Sequence, residues 1–127
     1  MAKFTFTGNV YIQMGAETKP AAIPMSFSFD YSEKCITDNN WTTNQTNAAV
    51  PQGTVDAPRV VMVEVLEGSL ELATNNTGAG AIALSANPTP QAGDPPAVFM
   101  FFTFAPEATQ FYVTTTAPAR ARISLFG

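Results

Sequence analysis

Residues 4–14 read FTFTGNVYIQM, and the alternation of apolar and polar side chains in them decides the fold class. Phe4, Phe6, Val10, Ile12 and Met14 share one parity, and Thr5, Thr7, Asn9 and Gln13 share the other, with Gly8 the interruption. Successive side chains of a strand point to opposite faces, so a period of two predicts a strand with one buried face. Residues 23–31 repeat the pattern: Ile23, Met25, Phe27, Phe29 and Tyr31 alternate with Pro24, Ser26, Ser28 and Asp30. Pro24 has no N–H to donate, which puts it at a strand start or on an edge.

Further strands follow the same logic. Residues 59–66, RVVMVEVL, are apolar on both parities and β-branched, as in a strand covered on both faces. Alternation resumes at Leu70 and Leu72 around Glu71, and Gly68 before them marks a tight turn or a bulge. Ala81 to Ser85 is a short strand with Ile82 and Leu84 inward, flanked by turn chemistry on both sides. In residues 97–105, AVFMFFTFA, Val98, Met100, Phe102 and Phe104 oppose Phe99 and Phe101. This is either the most buried strand or one whose outer face, at Phe99 and Phe101, meets another chain. TQFYVTT (109–115) and ARARISLF (119–126) complete the set, and no apolar series at helical spacing competes. About eight strands with Pro/Gly/Asn-rich connections predict an all-β antiparallel β-sandwich over residues 1–127 as a single domain. A jelly roll is preferred over an immunoglobulin-like sandwich, whose Cys…Trp…Cys spacing is missing.

Composition narrows the function classes. Charged residues make up 13% of the 127, against roughly 25% in ordinary soluble domains. Thr, Ala, Asn, Gln, Ser and Pro therefore cover the surface, giving a neutral exterior of the kind that neighbouring subunits cover. Six basic residues against ten acidic ones leave no clustered positive field for phosphates, so nucleic acid is not an expected partner. No apolar run approaches a membrane span, and MAKFTFTG begins directly on a strand pattern rather than on a signal peptide. Folding in a cytoplasm is the expectation. The Asn-x-Thr sites at Asn40, Asn44 and Asn75 then read as products of an Asn/Thr-rich composition.

Catalysis and cofactors find little to work with. The chain has no histidine and a single cysteine, which removes imidazole-based triads, histidine zinc sites and thiolate cages. Cys35 reads as a small core filler. A carboxylate-based glycosidase would have to use Glu64, Glu67 and Glu71, or Asp30 with Glu33, yet Glu67 and Glu71 flank a glycine turn where charges ordinarily keep a hairpin soluble. Asp38, Asn39 and Asn40, or Asp94, lack the spacing of a calcium loop. No cofactor, metal or catalytic residue is assigned. A glycan- or receptor-binding module is the alternative, with Trp41, Asn39, Asn40, Asn44 and Gln45 as its patch and Tyr11, Tyr31 and Tyr112 as possible additions.

Residues 37–58, TDNNWTTNQTNAAVPQGTVDAP, look like neither helix nor strand, and the Pro-rich 87–96 is a second loop. Compact domains rarely keep so long a structureless loop without a use. Trp41, Val50 and Val55, spread along it, suit an arm that lies on a neighbouring subunit and orders on assembly.

The strand directly after MAK, the low-charge Thr/Ala/Asn/Pro surface, the missing histidine and the closing APARARISLFG resemble the small β-sandwich structural proteins of tailed-bacteriophage particles. These are the capsid cement or decoration proteins and the tail accessory proteins. The resemblance implies a virion component without chemistry that works through interfaces. Its expected partners are the major capsid protein or other virion proteins, and its expected state is a homo-oligomer, a trimer first. It also makes Arg120 and Arg122 candidates for salt links to a coat subunit.

Overall fold

The computed structural model describes residues 2–12, 21–75, 81–89, 91–94, 96–102 and 108–127. Among them are ten strands and no helix: β1 (Ala2–Ile12), β2 (Ala21–Tyr31), β3 (Lys34–Trp41), β4 (Gln45–Ala49), β5 (Val60–Glu67), β6 (Ser69–Thr74), β7 (Ile82–Ser85), β8 (Ala97–Phe102), β9 (Phe111–Thr115) and β10 (Ala119–Phe126). All pair antiparallel. Where one sandwich domain was expected, the chain divides into two compact units, Met1–Ser32 and Glu33–Gly127.

The first unit is a two-stranded ribbon, β1 on β2, in unbroken register from Ala2↔Tyr31 to Ile12↔Ala21. Its alternation puts Phe4 opposite Phe29 and Phe6 opposite Phe27 on one face. The Phe6 and Phe27 rings stack with centroids 5.3 Å apart, and Phe4 lies 5.3 Å from Phe29. Thr5, Thr7 and Asn9 occupy the other, exposed face, as period two requires.

The second unit is an antiparallel sandwich of two four-stranded sheets, β3-β10-β5-β8 and β4-β9-β6-β7. Pairing is nested: β3 with β10, β4 with β9, β5 with β8 and β6 with β7. The pairs β10–β5 and β9–β6 then join the nested steps into sheets. Between the sheets lie Val61, Val63 and Val65 of β5, Leu70 and Leu72 of β6, Leu84, Phe111, Val113, Ala121, Ile123 and Leu125. Each of the Val, Leu, Ile and Phe side chains contributes about 1.5–3 kcal/mol by leaving water. As RVVMVEVL predicts, neighbouring residues of both parities are buried at the start of β5, Val60 with Val61. Gly68 is neither a hairpin turn nor a bulge within one sheet. With φ at +73° it forms the corner where the chain leaves β5 in one sheet for β6 in the other.

The stretch 37–58 is not a free arm. Residues 37–41 belong to β3, paired with β10, and 45–49 form β4, paired with β9. The rest is fastened from inside by Gln52, whose Nε2 donates to the carbonyls of Val55 (3.1 Å) and Thr109 (3.0 Å) while its Oε1 accepts from the Phe111 N–H (2.9 Å). Val50 and Val55, expected on a neighbouring subunit, are 4% and 1% exposed in the core of their own sandwich. A buried side chain cannot also be the surface of an interface.

Candidate functional site

One sheet carries nearly all the distinctive surface chemistry of the sandwich. Cross-strand register lines up Asp38 of β3, Arg122 of β10, Glu64 of β5 and Val98 of β8 in a single row across the outer face of the first sheet. Arg122 Nε donates to Asp38 Oδ1 at 2.8 Å, and its Nη1 lies 3.8 Å from Glu64 Oε2. The hydrogen bond to Asp38, then the charges of Asp38 and Glu64, raise the Arg122 pKa above its ordinary value against a small opposing effect of burial. Arg122 is thus engaged within its own sheet.

Arg120 differs. It sits one pleat along, past a register shift between Arg120 and Ala121, opposite Asn40 and Glu67. It is exposed, and among the described residues it forms no salt bridge. With Asp38, Asn39, Asn40, Leu66 and Arg122 it lines a shallow groove of about 350 Å³. Three large apolar side chains share this outer face: Ile36 is 52% exposed, Leu66 43% and Val98 50%.

The outer face of the second sheet holds a depression rich in small hydroxyls. Ser69, Ser85, Thr114 and Thr116 surround Glu71 and Ala83 in a depression of about 270 Å³. Glu64 and Glu71, considered together as carboxylates for glycoside chemistry, therefore stand on different sheets. Among the described residues no group of three or more His, Cys, Asp or Glu could hold a metal. Asp94 closes its own loop, accepting from the Gln91 N–H at 2.9 Å and from Asn87 Nδ2 at 3.3 Å.

The remaining residues singled out in the sequence fall into place as follows. Trp41 ends β3 opposite Ala119 and packs half-buried against the core, so it is not a platform on a free loop. Phe99 also packs against the core, which makes Val98 the outward residue of β8. Phe101 pairs through its backbone with Val61, and its side chain lies outside the described residues. Cys35 is a half-buried packing residue whose Sγ faces the Pro51 carbonyl at 3.6 Å. Tyr11 lies on β1, its side chain also outside the described residues. The sequence reading missed Ile36 and Leu66: Ile36 falls between the strand read to residue 31 and the loop read from residue 37, and Leu66 lies in a strand read as buried on both faces.

No family model, curated protein or solved structure matches the chain.

Proposed function

We propose that this protein is a structural, non-enzymatic component of a particle, of the capsid cement or decoration kind, built on a jelly roll and acting through its interfaces. Nested pairing supports the jelly-roll reading. Folding one long hairpin of four paired steps gives eight strands in two sheets, and every connection except β6–β7 crosses from one sheet to the other. The observation that carries the function is the outer face of the first sheet, where Ile36, Leu66 and Val98 stand exposed around the ion-paired Asp38–Arg122–Glu64 row. A surface of exposed apolar side chains rimmed by polar ones suits repeated subunit contact. Trp41, packed half-buried against its own core, weighs against the glycan-binding alternative.

Light scattering coupled to size exclusion tests the reading. A stable homo-oligomer, with a trimer expected, supports it, and a strict monomer at every concentration argues against self-assembly.

A further inference from the structure

The charges on the outer face of the first sheet do not balance where they stand. In the row Asp38, Arg122, Glu64, two carboxylates share one guanidinium, so the row keeps a surplus negative charge. Asp38 is its exposed end: the side chain is 74% exposed, and Oδ1 is the oxygen that accepts from Arg122 Nε at 2.8 Å. The matching positive charge is on the same face. Arg120 shares the outward parity of β10 with Arg122, about 7 Å away along the strand. It is exposed and forms no salt bridge among the described residues, although Glu67 is its register partner. Apolar surface lies beside both charges. Leu66, 43% exposed, follows Glu64 on the outward parity of β5, and Ile36, 52% exposed, precedes Asp38 on that of β3.

We propose that this face packs on the same face of a second copy of this chain, about a two-fold axis that runs across the strands between Arg120 and Arg122. The inference rests on the self-assembling reading above and names its contact. Such an axis exchanges the two levels of the face, so the Arg120 of each copy stands over the surplus carboxylate of the other, with the exposed Asp38 as its acceptor. Every link is made twice, as an isologous contact requires. A different protein would have to supply a cation and a carboxylate at this same offset, whereas a second copy carries both. Leu66 of each copy leaves water in the same step. Four strands of 6 to 8 residues give a face of roughly 400 Å² per copy, against about 800 Å² per partner in a standard interface. The contact is therefore reversible and depends on concentration. A trimer held elsewhere on the molecule becomes a pair of trimers through it, so assembly by this face always counts an even number of copies.

Exchanging the two charges tests it in the full chain, read by sedimentation velocity over a range of concentrations. R120E sets carboxylate against carboxylate across the axis, and D38R sets guanidinium against guanidinium. Each alone should weaken self-association by about tenfold or more. Mixed together, the two variants should form a joint pair at close to the affinity of the unsubstituted protein, because each then supplies the charge that the other lacks. The double variant, D38R with R120E in one chain, should pair with itself for the same reason. Both positions are exposed, so the sandwich tolerates the changes, and circular dichroism confirms folding of each variant. A variant that had merely lost its fold would not be rescued by mixing. If R120E or D38R alone associates like the unsubstituted protein, if the mixture fails to pair, or if the unsubstituted assembly holds an odd number of copies, the face-to-face contact is wrong while the assembling function stands. An unsubstituted monomer at every concentration overturns both and leaves the face to a different protein.

Discussion

The β1–β2 ribbon and the β3–β4 segment are opposites. The ribbon has the cleanest apolar alternation in the sequence, yet it is a two-stranded unit with Ile23 and Met25 more than 40% exposed. β3 and β4 have almost no apolar alternation, yet they are edge strands of the sandwich and lead into its core at Val50. Clean alternation reports that a strand has one wet face. Membership in a large core is decided by what pairs with the strand, and for β3 the partner is β10, far along the chain.

The sharpest way to break this contrast is at the anchor that holds the unpatterned stretch. Phe111 is fully buried, and its backbone bonds both Val50 and Gln52. Phe111→Ala should cost about 3–5 kcal/mol in chemical denaturation and release residues 50–58 to hydrogen exchange. Gly68→Ala comes next. Its Cβ would lie 2.6 Å from the Pro118 carbonyl oxygen at a φ of +73°, and a loss of about 1–3 kcal/mol is expected in the same measurement. Gln52→Ala leaves a buried donor and two carbonyls without their partner, for about 1–3 kcal/mol, with new exchange confined to 50–58. In the ribbon, Phe6→Ala removes one stacked ring from a half-buried face, and about 1 kcal/mol is expected, visible as faster exchange in 2–12 and 21–31. Smallest is Arg122→Ala on the outer face, a slight loss of melting temperature that shrinks as salt is added. If Phe6→Ala proved costlier than Phe111→Ala, the ribbon would be the better-packed unit and the contrast would reverse.

The sequence disclosed every strand whose inward residues are apolar: each of the segments 4–14, 23–31, 59–66, 68–74, 81–85, 97–105, 109–115 and 119–126 overlaps one of the observed strands. β3 escaped because its inward parity is Cys35, Thr37, Asn39 and Trp41, while Ile36 points out. Polar residues can face inward there because Asn39 Nδ2 donates to Thr37 Oγ1 at 3.1 Å and to the Ala121 carbonyl at 3.5 Å. A period of two over half-polar residues, KCITDNNW, was the available signal. β4 escaped because Asn47, with φ at +48°, breaks the alternation within five residues. The roles of Arg120 and Arg122 could not be separated in the sequence. Both occupy the same parity of β10, and only the register that brings Asp38 and Glu64 beside Arg122 distinguishes them.

The nested pairing also sets an order of events during synthesis. The β1–β2 pairing uses only residues up to 31, so it can form while most of the chain is still unmade. The first sheet cannot: one of its two interior strands is β10, which lies between β3 and β5 and is the last of the ten to be translated. Until residues 119–126 emerge, β3 has no strand to pair with among the described residues, and the uncharged β8 has only β5 there. Such long-range closure is slow and leaves strands open to the wrong neighbour. A stop codon that removes only β10 would therefore split the sheet down its middle rather than trim its margin.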